Sequence, residues 1–213
     1  EPTGLLRVSS PIEFGQLFLG GVVGEFMRRY PAIQVEVELT TRMVDPVEEG
    51  VDIVVHLGRP QDSSLVARPL MSSPRQLYAS PDYVAQYGMP KKAEELSQHR
   101  CIHALVDGSR KWHFLQPHLS VPINPVLVVN NITFAREAAL ASAGIINVPA
   151  FIAEPCVAEG TLVRVLEGVT LPSSELYALY PSRRFQAMKV KAFIDFVIEN
   201  LEARDDVQVE MQA

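Results

Sequence analysis

From Leu5 to Leu57 the spacing of apolar positions changes several times, and each change predicts an element. Leu5 to Val8 is a short apolar run suited to a buried strand. Ser9-Ser10-Pro11 then places a capping hydroxyl and a proline where a helix begins. Leu19, Val22, Val23, Phe26 and Tyr30 give that helix one apolar face, and Tyr30-Pro31 ends it. Val35, Val37 and Leu39 alternate with Glu36 and Glu38, which predicts a strand with one wet face near a sheet edge. Asp45-Pro46 and Gly50 bracket a short helix. Val51 to Leu57 is a nearly continuous apolar strand, expected to run parallel to the first. Strand, helix, strand, short helix, strand is an α/β pattern.

Beyond it, a strand at Val66 to Leu70 gives way at Ser72-Ser73-Pro74, a turn-like break. Gln76 to Ala79 restarts a strand, Ser80-Pro81-Asp82 caps a helix closing at Gly88, and Lys91 to Leu96 suggests a helical turn or two. Strands are expected at Cys101 to Leu105, at Trp112 to Leu115 and beyond Pro125. Asn130 to Thr133 is a polar capping cluster before an alanine-rich helix, Phe134 to Ala143, which Gly144 terminates. Ile145 to Val148 reads as a buried strand closed by Pro149, and Phe151 to Ala158 as a short helix interrupted near Pro155. Leu162 to Leu166 alternates. After a second break at Leu171-Pro172-Ser173-Ser174 comes a strand, Leu176 to Tyr180. A last helix carries Val190, Phe193, Ile194, Val197, Ile198 and Leu201 on one stripe, and the polar tail beyond Arg204 is expected to fray.

The two breaks divide the chain into three portions, and a last portion of one strand and one helix cannot bury a core alone. It is therefore expected to return to the first, giving lobe I from residues 1–73 and 175–213 and lobe II from residues 74–174. Two lobes joined by two crossings make a hinge with a cleft.

Charge and composition narrow the function. A net charge of −6 on 213 residues disfavours gripping a phosphate backbone. Two cysteines, Cys101 and Cys156, are too few for a disulfide framework and read as buried structural thiols. No charged-then-apolar leader opens the chain and no apolar run approaches bilayer length, so a cytoplasmic protein is expected, though a mature periplasmic one would look similar. No nucleophile elbow, phosphate loop, dinucleotide fingerprint or His-Glu-x-x-His motif is present, so no enzyme is expected. His99, Cys101 and His103 alternate along one strand face, but no second cluster with zinc-like spacing supplies further ligands. No metal and no cofactor is expected.

The order of phrases resembles one family. LRVSSPIEFG, FMRRYPAIQVEVEL, EEGVDIVVHLGRPQDSSLVARPL, LYASPDYVAQYGMP, AALASAGIINVP, EGTLVRVL and LYALYPSRR with KVKAFIDFV look like the effector-binding domain of LysR-type transcriptional regulators, from Leu5 to about Leu201. The resemblance implies a type-2 periplasmic-binding-protein fold, two α/β lobes joined by two hinge crossings with an interlobe cleft holding a small-molecule effector. It also implies self-association as a dimer or tetramer, with lobes of neighbouring subunits antiparallel. DNA would be bound only through an N-terminal winged helix-turn-helix that this sequence lacks, and no membrane is involved. A free-standing solute-binding protein of a transporter, with the same fold, is the alternative.

The resemblance puts Ser9, Ser10, Glu13 and Phe14 where lobe I meets its ligand. Ser10 serves equally as a helix cap, and Glu13 either complements the helix dipole or turns the site toward an amine or hydroxyl. Thr41 and Arg42 line the cleft in relatives, and Arg42 is the expected partner of a ligand carboxylate. On lobe II the expected contacts are His103 at the cleft rim, Asn131 and Thr133 at a helix start, and Val148 and Pro149 at a strand end. Glycines 15, 20, 21 and 24 interrupt the first helix at about 1 kcal/mol each. Close packing, across a dimer or within the chain, offsets that; otherwise the helix kinks or frays. That helix and the strand Gln34 to Leu39 are the expected partner surface.

Overall fold

The computed structural model describes residues 2–60, 64–104, 109–182 and 187–203. In chain order the elements are β1 (Gly4–Ser10), α1 (Ile12–Phe14), a π-helical segment (Gly15–Leu19), α2 (Gly20–Arg29), β2 (Ile33–Leu39), β3 (Ile53–Leu57), β4 (Leu65–Ser73) and β5 (Arg75–Ala79). There follow α3 (Pro81–Tyr87), a 3-10 helix (Ala93–Gln98), β6 (Cys101–Ala104), β7 (Lys111–Phe114), β8 (Leu119–Pro122) and β9 (Pro125–Val129). The chain continues with α4 (Ile132–Leu140), β10 (Ile145–Pro149), α5 (Ala150–Ala158), β11 (Val163–Val165), β12 (Ser174–Pro181) and α6 (Met188–Glu202). The strand expected over Cys101 to Leu105 is described at Cys101–Ala104, and Leu105 and the tail beyond Arg204 lie outside the described residues.

Two compact units result, Glu1–Ser72 with Glu175–Ala213, and Ser73–Ser174. In the first, a five-stranded sheet has the order β2-β1-β3-β12-β4. β1 runs parallel to β2 and β3, and β12 lies antiparallel to β3. β2 is an edge strand, as its alternation predicts, and Val37 and Leu39 are exposed on it. The apolar stripe of α6 is buried at Val190, Phe193, Ile194, Val197 and Leu201. Phe26 of α2 meets the Phe193 ring edge-on with centroids 5.0 Å apart.

The second unit is built on the order β11-β5-β10-β6-β9, with β7-β8 as a separate hairpin. Alternation along its strands feeds two cores. Leu77, Cys101 and Ile145 pack with Tyr83, Trp112 and Phe114 on one face. Tyr78, Ile102, Ile146 and Val148 pack with Ala135 and Ile152 on the other.

Local expectations fail where polar chemistry or glycine competes with periodicity. The helix expected over Asp45–Gly50 is a single turn: Asp45 Oδ1 caps it, accepting from Val47 N at 2.8 Å and Glu48 N at 3.1 Å, and Gly50, at φ 68°, ends it before a helix can propagate. The first helix is not regular either: between Gly15 and Leu19 it widens into a π turn. α5 runs through Pro155 instead of stopping there.

Candidate functional site

Each unit offers a cluster at the C-terminal ends of parallel strands, where open α/β sheets receive ligands. In the first unit, Ser9 and Ser10 close β1 and are both almost fully buried, Ser10 to 1 % exposure. Ser10 is not the helix cap expected of it. Its Oγ donates to Pro11 O at 3.1 Å, and the helix starts after Pro11 without any side-chain cap. Proline at that position moves the helix start one residue on, out of reach of the serine. Glu13 is half-buried in the first helical turn, and Phe14 is a core residue whose ring lies 5.1 Å from that of Phe18.

Arg42 is exposed and already engaged. Its Nη1 and Nη2 donate to Glu49 at 2.7 and 2.6 Å, and Nη2 reaches Glu38 at 3.1 Å. Hydrogen bonds to Glu49 first and Glu38 second raise the guanidinium pKa, and the same pairing lowers that of Glu49. Its charge is therefore met by two carboxylates of its own chain. Thr41 is exposed in the following loop. The residue that touches β1 is its neighbour Thr40, whose N–H donates to Ser10 O at 3.0 Å.

In the second unit, Asn131 caps α4, accepting at Oδ1 from Phe134 N and from Thr133 Oγ1, each at 2.7 Å. Both side chains thus satisfy each other and the helix start. Val148 is fully buried in the core beneath α4 and α5, and Pro149 is buried at the start of α5. His103 is 5 % exposed, and neither ring nitrogen has a hydrogen-bond partner.

A residue that sequence reasoning missed lies on β5, with β10 between it and the strand of His103. Arg75 opens β5 and donates Nε to Asn147 Oδ1 at 3.0 Å, Nη2 to Asn147 O at 2.5 Å and Nη1 to Ser174 Oγ at 3.1 Å. The signal was a lone cation in a short strand, straight after Ser72-Ser73-Pro74. Ser73 is fully buried and its Oγ has no partner.

The metal-like spacing comes to nothing among the described residues: no group of three or more His, Cys, Asp or Glu could hold a metal. His99 Nδ1 instead bonds the Tyr83 hydroxyl at 3.0 Å. Burial pushes the Cys101 thiol up to about 12, which makes it a poor nucleophile. No helix among the described residues is long and apolar enough to cross a membrane.

The family model for the LysR substrate binding domain matches residues 1–202. The chain belongs to that family. As a LysR substrate-binding domain it is 33 % identical over 207 residues to an HTH-type transcriptional regulator of Xanthomonas campestris pv. campestris, covering 94 % of this chain and 60 % of the relative. It is 32 % identical over 206 residues to PtxR of Pseudomonas aeruginosa, covering 94 % and 65 %. The chain therefore spans about two thirds or less of the length of these two curated regulators.

Among solved structures, the CrgA regulatory domain, a LysR-type regulator from Neisseria meningitidis, superposes with a TM-score of 0.84 at 29 % identity, over 93 % of this chain and 98 % of that one. Full-length AphB of Vibrio cholerae, a virulence activator, gives 0.80 at 30 % identity, over 92 % and 68 %. The LysR effector-binding domain has the type-2 periplasmic-binding-protein-like fold, as the phrase order implied. The relatives are transcriptional regulators, which leaves the transporter-linked reading without support.

Proposed function

We propose that this chain is the sensing part of a bacterial LysR-type transcription factor in the cytoplasm. It takes a small effector into the interlobe cleft that the family resemblance implies. Residues 1–73 with 175–213 and residues 74–174 act as the two lobes that the effector reorients, and a dimer or tetramer passes the change to winged helix-turn-helix modules elsewhere in the protein. The observation that carries this reading is the family match along residues 1–202. An effector shifts such a system only if it binds one lobe arrangement more tightly than the other.

The side chains proposed to meet it are Ser9, Ser10 and Glu13 of one lobe and His103, Asn131 and Thr133 of the other. Phe14, Val148 and Pro149 support them from the core. Arg42, engaged with Glu38 and Glu49, and the exposed Thr41 contribute only if those contacts open. Exposed Val37 and Leu39 on the β2 edge, with Leu17 and Met27 on the neighbouring helix, support this surface as the one that meets another copy of the chain.

The test is a thermal-shift screen of small acids, amines and aromatic compounds, repeated on Ser10→Ala and Thr133→Ala. A compound that raises the wild-type melting temperature and loses its effect in these variants supports the reading. Binding untouched by both variants would displace the site, and steady turnover of a compound would replace sensing with catalysis.

A further inference from the structure

We propose that His99 and Tyr83 form an acid-released latch within the second unit: neutral His99 fastens the stretch between α3 and β6, and protonated His99 lets it go. Packing sets the two residues up. Tyr83 is fully buried, with Ala93 and Leu96 of the 3-10 helix and Cys101 of β6 around it. Its ring stacks on that of Tyr87 with centroids 4.8 Å apart. A tyrosine so placed needs partners for its hydroxyl. They are Arg100 N, which donates to the Tyr83 oxygen at 3.1 Å, and His99 Nδ1 at 3.0 Å. His99 directly follows the 3-10 helix and donates its own N–H to Leu96 O at 3.1 Å, so its ring ties that helix to α3.

The number of protons fixes the state of the ring. The Tyr83 hydroxyl has one to give. Arg100 O is 3.5 Å away and already accepts from Ile145 N at 2.8 Å. The nearer acceptor is His99 Nδ1, which accepts only while it carries no hydrogen. His99 is therefore held neutral, with its hydrogen on Nε2. Protonation adds a hydrogen at Nδ1, and two donors then face each other across 3.0 Å. The imidazole is half-buried, so it relieves the conflict by turning into water. The 3-10 helix thereby loses its tie to α3 through His99.

The charged and titratable groups around the pair are Glu95, Tyr87, the Cys101 thiol and Arg100, whose guanidinium lies 6.0 Å from the Tyr87 ring centroid. Arg100 Nε also donates to Ala143 O at 3.2 Å. Burial lowers the pKa of His99 below the ordinary 6.5, against the opposing pull of Glu95. A histidine depressed in the folded state stabilises fully above its unfolded value, and that contribution is lost as pH falls through the folded one. The latch thus opens as pH falls below about 6.5. His56 of the first unit is also depressed by burial, so a His99 variant is needed to isolate the latch.

The test uses the full 213-residue chain. NMR of nitrogen-labelled histidine reads the tautomer and midpoint of His99, whose signals are those missing from His99→Asn. Expected are a hydrogen on Nε2, a midpoint below 6.5, and a higher midpoint in Tyr83→Phe, which lacks the hydroxyl that favours the neutral ring. Hydrogen exchange across residues 88–100, corrected for its intrinsic pH dependence, should quicken about threefold or more between about pH 7 and about pH 5. In His99→Asn, whose amide oxygen accepts from Tyr83 at any pH, it should stay flat.

A hydrogen on Nδ1, a midpoint at or above 6.5, an unchanged midpoint in Tyr83→Phe, or equal quickening in His99→Asn overturns the latch. Should Tyr83→Phe fail to fold, the tautomer and the His99→Asn comparison decide.

Discussion

Lys189 Nζ donates to Asp52 Oδ2 at 3.0 Å, joining residues 137 positions apart in the chain. Asp52 is 2 % exposed and also accepts from Arg7 N at 3.0 Å, while Lys189 reaches Leu5 O as well. The pair bolts α6 to β1. Removing one partner of a buried pair leaves the other charge unmatched, so Asp52→Ala is expected to cost about 3–5 kcal/mol. Urea unfolding checks this, and a loss below about 1 kcal/mol would make the pair a bystander.

Capping separates two serines that look alike in the sequence. Ser80 Oγ accepts from Tyr83 N at 3.1 Å and donates to Ser142 Oγ at 2.8 Å, so Ser80→Ala should lose about 1–2 kcal/mol. Ser10 caps nothing, and Ser10→Ala should cost less than Ser80→Ala in the same denaturation series. The reverse ranking would mean that the helix start engages Ser10 after all.

The glycines divide into two kinds. A Cβ at Gly144 would sit 2.5 Å from the backbone oxygen of Arg100, which cannot swing aside. Gly144→Ala is therefore expected to destabilise by about 1–3 kcal/mol. A Cβ at Gly21 or Gly24 meets nothing within 4 Å, so alanine there should stabilise the isolated chain by up to about 1 kcal/mol each. If the α2 face packs on a second copy of the chain, Gly24→Ala will raise the melting temperature yet weaken self-association in sedimentation. Unchanged association removes α2 from that contact.

Glu154 gives the second unit an acid-sensitive clasp. Hydrogen bonds from Arg164 first and from the Tyr78 hydroxyl hold its carboxyl below the usual 4.5. A carboxyl depressed in the folded state stabilises fully above its unfolded value, and that contribution drains away as pH falls through the folded one. Wild-type stability should therefore decline below about pH 4.5 more steeply than that of Glu154→Gln. Because Arg164 is substantially exposed, the difference will be modest and smaller in high salt. Parallel pH profiles of the two would assign the clasp no weight.

Cys101 should be silent toward thiol reagents in the native chain. Its thiol is fully buried, donates to Leu96 O and is pushed up to about 12. Alkylation followed by peptide mapping, with and without denaturant, checks this. Rapid native labelling at Cys101 would contradict it.

Much of the architecture was legible because it rests on period. The alternation of Val35, Val37 and Leu39 marked an edge strand, and the stripe from Val190 to Leu201 marked a buried helix face. The Asn131 cluster announced a cap that the structure contains. What escaped depends on which group wins a local contest or on partners far along the chain. Pro11 took the helix start from Ser10, and the turn that Asp45 caps stops after one round, at Gly50 with its positive φ. Arg42 looked like a free cation because its spacing to Glu38 and Glu49 says nothing about the turn that joins them. Arg75 went unnoticed for the converse reason, since Asn147 lies 72 residues away and only register brings them together.

The sheet order of the first unit has a bearing on how the protein emerges during synthesis. β12 sits between β3 and β4, yet everything from Ser73 to Ser174 is translated before it. Until β12 leaves the ribosome, β3 and β4 each offer a bare strand margin, whereas the continuous stretch between β4 and β12 already has all its own strands. The unit begun first is therefore finished last, and a nascent chain stalled near Ser174 would hold one completed body beside an open, sticky half-sheet.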